Sequence, residues 1–400
     1  MPSANTKSAI LIESERQWRS GDLAKAGAGF REAVKRSPGD AAALVGLARA
    51  EFLRGEKKGA KDLIAQAERI APRRADVMVT RGVFAEAARD GKRALETFRE
   101  AARLDPRSAE ARFNYGRILA RARRLQEAEA ELAAAAQLDQ SNARIPFHQA
   151  LAIGQDATRS AEAIRLLGRA IALDGRFVDA YCLLADVLER LGERAEAARI
   201  LASAGRCVPG NRMILERHAA LHQRRGELKR ARDCMREVAL LETGAKDFEV
   251  WRRLALIELA TGDGAQAEAC AGNAAKLAPK SAAVRFALGI IAETIGKKDA
   301  ARTAYRKAIE LDAKHWGAMT NLGRMLLNDR KPALAEALQL AERARALAPL
   351  EPAPALNLAC ALAAKGERVK AAEAAKAVLA MRGADKAMKD QARTLAGAAR

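Results

Sequence analysis

The chain has 400 residues, of which 50% are hydrophobic, 30% are charged and only 4% are aromatic. This balance excludes an intrinsically disordered protein, because disordered chains are poor in apolar residues. The longest apolar runs fall far short of the roughly 20 residues that span a bilayer. The N-terminal stretch contains Glu13 and Glu15 and lacks the long apolar core of a secretory signal. We therefore expect a cytoplasmic protein without a membrane partner.

The formal net charge is +20, from 70 Lys and Arg residues against 50 Asp and Glu residues. Residues 1–177 carry 32 basic and 23 acidic residues, and residues 178–400 carry 38 and 27. The excess is therefore spread along the chain, whereas nucleic-acid-binding proteins usually concentrate basic residues on one stripe or tail. The charge favours acidic partners, and a basic groove that binds nucleic acid is the alternative.

A period of 34 residues organises the sequence. Pro38, Pro72 and Pro106 are 34 residues apart, and each follows a helical run and opens a polar turn. Further along the chain, similar runs end at Pro209, Pro279 and Pro349. A period of this length is the signature of a repeat architecture.

Within each period an Ala is followed four residues later by another apolar residue, usually a larger one, and after three more by a second Ala. Offsets of four and seven place all three on one face of a helix, and the small Ala side chains allow a neighbouring helix to approach closely. A turn, often with Gly, comes about five residues earlier, which predicts two helices per period. The triplets are Ala26, Phe30, Ala33; Ala60, Ile64, Ala67; Ala94, Phe98, Ala101; Ala128, Leu132, Ala135; Ala163, Leu167, Ala170; Ala197, Leu201, Ala204; Ala267, Ala271, Ala274; and Ala301, Tyr305, Ala308.

These features resemble the tetratricopeptide repeat family, whose 34-residue helix-turn-helix unit carries W-x2-L-G-x2-Y, then A-x3-F, then P. The first-helix part of that motif is matched at Trp251 and Leu254, and the triplets and prolines match the rest. Further matches are Tyr115 with Gly116, Leu288 with Gly289, and Leu322 with Gly323. The resemblance covers nearly the whole chain, and the Ala- and Arg-rich composition is typical of a bacterial member.

The resemblance implies an all-α fold, a right-handed α-solenoid or superhelix of about eleven helix-turn-helix units. We place the repeat starts near residues 7, 41, 75, 109, 143, 178, 212, 248, 282, 316 and 352. We expect residues 1–6 to be a flexible N-terminus, residues 7–383 the repeat array and residues 384–400 a C-terminal capping helix. Because a solenoid needs a cap on its last apolar face, we expect the chain to end where the protein ends.

No motif for catalysis or cofactor binding is present in the sequence. The glycine clusters lack the spacing of a phosphate-binding loop. His218 and His222 lie one helical turn apart, but no HExxH glutamate accompanies them, and a third ligand would have to be Glu216 or Cys234. We interpret the two histidines as packing residues. We therefore expect neither an enzyme, a metal site nor a cofactor.

Five cysteines are widely spaced in apolar contexts without a CxxC motif: Cys182, Cys207, Cys234, Cys270 and Cys360. The odd number and the spacing argue against a disulfide framework. We expect small buried thiols inside helices.

In the tetratricopeptide family, side chains of the first helices project into a concave groove. The resemblance places the candidates here at Arg49, Phe52, Phe113, Asn114, Arg117, Arg121 and Phe147, with a second cluster at Phe286, Asn321, Arg324 and Asn357. Arginine beside an exposed aromatic ring suits a peptide with a carboxylate, because the guanidinium gives paired hydrogen bonds and the ring gives buried area. We predict a non-catalytic scaffold that binds an acidic or carboxylate-bearing peptide or protein segment; packing between first helices is the alternative role of each residue.

Overall fold

The computed structural model describes residues 4–154, 156–329 and 331–397. Over these residues it has twenty-four α-helices, one short 3-10 turn at Ala157–Arg159 and no strand. The predicted all-α, helix-turn-helix architecture is confirmed. None of the helices in the described part of the chain is long and apolar enough to cross a membrane.

The chain divides into two compact units, residues 1–200 and 201–400. The helices that begin in unit 1 are α1 Ala4–Arg19, α2 Leu23–Arg36, α3 Ala41–Leu53, α4 Lys57–Ile70, α5 Ala75–Ala87, α6 Gly91–Leu104, α7 Ala109–Arg121, α8 Leu125–Leu138, α9 Arg144–Ile153, α10 Ser160–Leu173, α11 Val178–Arg190 and α12 Arg194–Cys207. Helix α1 begins within the segment expected to be flexible.

Unit 2 continues the same alternation of first and second helices. Its helices are α13 Arg212–Arg224, α14 Leu228–Leu240, α15 Glu242–Ala245, α16 Phe248–Ala260, α17 Gly264–Leu277, α18 Ala282–Thr294, α19 Lys298–Leu311, α20 Trp316–Leu327, α21 Leu334–Leu347, α22 Pro352–Lys365, α23 Arg368–Ala380 and α24 Lys386–Gly397. The last helix packs on α22 and α23 through Ala392, Met388 and Leu395.

The predicted repeat starts coincide with the first residues of helices. From the second repeat onward, each of the ten first helices begins within one residue of its predicted start. The chain between α14 and α16 contains the one-turn helix α15, and the chain between α9 and α10 contains the 3-10 turn at Ala157–Arg159. The first of these segments lies between two repeats and the second lies within a repeat, and both leave the long helices on either side intact.

The Ala triplets form the core of both units. Every one of the triplet residues is buried, with no more than 6% of its surface exposed. The aromatic residues Phe98 and Tyr305 have no exposed surface at all. Burying aromatic side chains between alanines brings two helices close together, and each such ring contributes about 2–3 kcal/mol of hydrophobic free energy.

Tight turns join the two helices of most repeats. Gly55 follows α3 with φ of +89°, a left-handed conformation that glycine adopts without steric cost. In the third and fourth repeats, Arg89 and Arg123 take the same conformation with φ of +62° and +63°. The helix pairing therefore imposes this geometry even where the sequence supplies no glycine.

The five cysteines do not share one environment. Cys182 and Cys270 are buried, whereas Cys207, at the end of α12, is exposed. The expectation of uniformly buried thiols was therefore wrong for Cys207, because that position falls on the outer face of its helix.

Gly116 marks a close approach between α7 and α8. A Cβ atom there would lie 2.8 Å from Cγ of Leu132 and 3.1 Å from the backbone oxygen of Ala128. Gly168, in the exposed face of α10, has no atom within 4 Å of the same position. The two glycines therefore separate the steric effect of a methyl group from its effect on helix propensity.

We expect Gly116→Ala to destabilise the protein by about 1–3 kcal/mol, because the backbone of α8 cannot move away without opening the core. Gly168→Ala should raise stability by about 0.5–1 kcal/mol, because alanine favours the helix. Thermal and urea denaturation followed by circular dichroism measure both. Equal effects of the two substitutions would contradict the close approach.

Candidate functional site

A cavity of about 900 Å³ opens among the first helices of unit 1. Its walls come from α1, α3, α5 and α7, from the turn at residues 139–142 and from the first residue of α9. Phe30 of α2 closes part of its floor beside Gly46. Side chains of five successive first helices or their N-terminal turns therefore face one space, which is large enough to hold several residues of a peptide.

Three of the predicted groove residues line this cavity: Arg49, Phe113 and Asn114. Phe52 is not among the residues that line the cavity, and its ring stacks on that of Phe84 with centroids 4.3 Å apart. Phe147 packs against Phe177 at 4.9 Å. The two aromatic residues outside the cavity thus join adjacent repeats to each other.

Arg49 ties three first helices together. Its Nε donates a hydrogen bond of 2.8 Å to Oγ1 of Thr80 on α5, and its Nη2 lies 3.1 Å from Oε1 of Glu110 on α7. The Arg49 side chain is 23% exposed to solvent. A ligand carboxylate at Arg49 would therefore compete with Glu110.

Arg117 and Arg121 both bind Glu86. Nη1 of Arg117 donates a hydrogen bond of 2.7 Å to Oε1 of Glu86, and Arg121 pairs with the same carboxylate. The hydrogen bond from Arg117 is the main reason why the pKa of Glu86 lies below its usual range. Arg117 is only 15% exposed, whereas Arg121 is 65% exposed. One carboxylate therefore serves two arginines.

Asn114 is buried and engaged on both sides of its amide. Its Nδ2 donates to the backbone oxygen of Glu110 at 2.9 Å, and its Oδ1 accepts a hydrogen bond of 3.3 Å from Arg117. The side chain thus holds the orientation of Arg117. Its edge still faces the cavity.

Arg144 is a cavity residue that the sequence did not single out. Its guanidinium carbon lies 5.1 Å from the centre of the Phe113 ring, a cation–π arrangement. No carboxylate among the described residues forms an ion pair with it. Partial desolvation and the nearby charge of Arg117 lower the pKa of Arg144. Arg144 opens the fifth first helix, so only the fold brings it next to Phe113.

His148 lies beside this cationic group. Its ring centroid is 5.3 Å from that of Phe113. Burial, followed by the charges of Arg117 and Arg144, lowers the pKa of His148 to about 4. The imidazole is therefore neutral near pH 7, so the positive charge of this region comes from the arginines and not from His148.

Acidic residues line other parts of the same cavity. Asp76 receives two hydrogen bonds from Arg74, at 3.0 and 2.7 Å. Asp139 accepts from the backbone and hydroxyl of Ser141. Glu15 forms no ion pair within the described residues. The cavity is therefore bipolar, with a cationic region at Arg144 and an anionic one at Glu15.

The second predicted cluster lies in unit 2 around a cavity of about 480 Å³, which Phe286, Trp316 and Asn321 line. Asn321 donates a hydrogen bond of 3.1 Å to the hydroxyl of Tyr305. That hydroxyl in turn donates to Oε2 of Glu293 at 2.9 Å. Burial and the Glu293 carboxylate raise the pKa of Tyr305.

The remaining two residues of this cluster are held by other parts of unit 2. Arg324 pairs with Glu293. Asn357 is buried, and its Nδ2 donates a hydrogen bond of 2.6 Å to the backbone oxygen of Thr320. Asn357 therefore links α22 to α20, and its amide nitrogen is already used in that hydrogen bond.

A family model described as tetratricopeptide repeat matches residues 82–143, 155–212, 252–315 and 286–352, and a second model with the same description matches residues 17–77. No curated protein matches the sequence.

Among solved structures, a tetratricopeptide repeat protein from Parabacteroides merdae is similar over 64% of this chain and 99% of its own, with 18% identity and a TM-score of 0.52. Yeast Tom70 is similar over 99% of this chain and 96% of its own, with 14% identity and a TM-score of 0.48. PilF of Pseudomonas aeruginosa covers 51% of this chain and 92% of its own, at 23% identity and a TM-score of 0.45. The first of these likenesses supports the fold.

We expect Glu86→Gln to lower the free energy of unfolding by about 2–4 kcal/mol, because Arg117 would keep its buried charge without a carboxylate. Glu127→Gln is the matched control, since Glu127 pairs with Arg124 on an exposed helix surface. Such exposed pairs contribute little to stability. Urea denaturation of both variants measures the difference, and equal midpoints would refute a structural role for Glu86.

The stability of unit 1 should decrease as the pH is lowered, because His148 binds a proton more strongly in the unfolded chain. Its pKa is about 4 in the folded chain and near 6.5 in the unfolded one, so between these values the unfolded state binds the proton more strongly. The stability is full above about pH 6.5 and is lost as the pH falls toward 4. We expect native protein to lose up to about 2 kcal/mol more than His148→Gln between pH 7 and pH 5. Denaturation midpoints at both pH values test this, and parallel losses would exclude it.

Proposed function

The chain belongs to the tetratricopeptide repeat family, and from this premise we propose that it is a non-catalytic scaffold whose unit 1 cavity binds a carboxylate-bearing peptide or protein segment. Repeats of this family generally mediate protein–protein interaction. We propose that the repeat array runs over residues 7–383 as eleven units, with residues 384–400 as a terminal helix. Peptide recognition would take place on its first helices.

The observation that carries the proposal is the environment of Arg144. Its guanidinium lies over the Phe113 ring inside the cavity and has no carboxylate partner among the described residues. A peptide carboxylate placed there gains charge-assisted hydrogen bonds without displacing an internal ion pair. Arg117 and Arg121 add positive potential nearby, because within the described part of the chain both arginines pair with one carboxylate, that of Glu86.

The cavity also restricts the kind of segment that fits. A uniformly acidic peptide would meet Glu15 and Asp139 in the same cavity. We therefore propose a segment with one carboxylate for Arg144 and neutral or basic groups elsewhere. The apolar rings of Phe30 and Trp18 would cover its aliphatic parts.

We expect peptides selected by the intact protein from a display library of random sequences to share a carboxylate, either an Asp or Glu side chain or a free C-terminus. Arg144→Ala should lower the affinity for the selected peptide about 10- to 100-fold, because one charge-assisted hydrogen-bonded contact is lost. Arg99→Ala, on the exposed face of second helix α6, is the matched control and should bind as the native chain does. Isothermal titration calorimetry measures all three affinities.

Two results would contradict the proposal. Equal affinities of native protein and Arg144→Ala would exclude the carboxylate contact. Binding of a single-stranded oligonucleotide with an affinity that falls steeply with salt, in the absence of any selected peptide, would favour nucleic acid.

A further inference from the structure

A cluster of possible metal ligands lies in the seventh repeat of unit 2, away from both cavities described above. His218 and His222 are one turn apart on α13, and Cys234 lies on the paired helix α14. One ring nitrogen of each histidine and the thiol sulfur all lie within 4.8 Å of one another. The imidazole centroids are 4.2 Å apart. Three residues with metal-binding side chains therefore converge within one helix pair.

These positions are packing positions in the neighbouring repeat. Counted from the start of the first helix, His218, His222 and Cys234 correspond to Leu184, Leu188 and Ile200 in the sixth repeat. His222 is only 4% exposed, and the other two are partly buried. Replacing apolar packing groups by imidazoles costs free energy unless the polar atoms find partners. A single ligand that contacts all three side chains would explain why polar groups occupy these three packing positions.

Glu227 provides the outer contact that a metal-binding histidine usually has. Its Oε2 lies 2.6 Å from Nδ1 of His222. A carboxylate at this nitrogen orients the ring and leaves the other nitrogen, Nε2, for a metal. Arg225 pairs with Glu227 at 2.8 Å and keeps that carboxylate in place.

We propose that His218, His222 and Cys234 bind a Zn²⁺ ion between α13 and α14. Two imidazoles and a thiolate suit Zn²⁺, with water in the fourth tetrahedral position. Ligand atoms around such an ion are about 3.4–3.6 Å apart, so the side chains must close by about 1 Å. Binding breaks the S–H bond of Cys234 and releases its proton to solvent. The ion would link the two helices of the seventh repeat, and the sequence-based expectation of no metal would then fail here.

Cobalt provides the direct test, because Co²⁺ takes the place of Zn²⁺ and a thiolate ligand gives a charge-transfer absorption band. We expect the full chain, without an affinity tag and after removal of metals by a chelator, to bind one equivalent of Co²⁺ with this band and to lose the band when Zn²⁺ is added. Cys234→Ser should abolish the band. Cys207→Ser, an exposed cysteine in the same unit, is the matched control and should keep it.

Two further variants keep the test decisive if Cys234→Ser folds poorly. His218→Asn should weaken Co²⁺ binding at least 10-fold while the band of the bound ion persists. Glu227→Gln should weaken it about 10- to 100-fold, because Glu227 acts through His222. Failure of the native chain to bind one equivalent, or a band that survives Cys234→Ser and disappears in Cys207→Ser, would overturn the proposal.

Discussion

The close approach of helices across small side chains is the constraint on which the rest of the structure depends. On most second helices alanines flank a larger apolar residue, and on first helices glycines such as Gly116 allow the paired helix to approach closely. Since this contact fixes the spacing of each helix pair, it also fixes which residues of successive first helices face a common space. The cavity of unit 1 and the histidine pair of unit 2 both depend on this spacing.

The fold could be predicted from the sequence because its determinants are local and recur. The 34-residue period, the Ala triplets and the prolines each reflect contacts within one repeat or between neighbouring repeats. The fold therefore does not depend on contacts between helices that are distant in the sequence. The same locality explains the exceptions. Arg89 adopts a left-handed conformation that could not be predicted from its residue type, because the packing of the two helices on either side determines the turn.

The site was less accessible to sequence reasoning, because the state of an arginine depends on what lies opposite. Register placed Arg49 and Arg117 on first helices, but not the carboxylates of Glu110 and Glu86 that meet them from other repeats. Arg144, which forms no ion pair with a carboxylate of the described residues, is the first residue of α9, a position that the repeat motif does not specify. In the same way, Cys234 approaches the two histidines only through the pairing of α13 with α14.

The link from Arg49 to Glu110 spans two repeats, whereas most contacts in a repeat protein join immediate neighbours. Stability in such proteins is usually a sum of separate repeat and interface contributions. A side chain that holds α3, α5 and α7 at once adds a coupling beyond nearest neighbours. The second, third and fourth repeats should therefore unfold as one cooperative block, and hydrogen exchange in these three helices should show a common opening free energy.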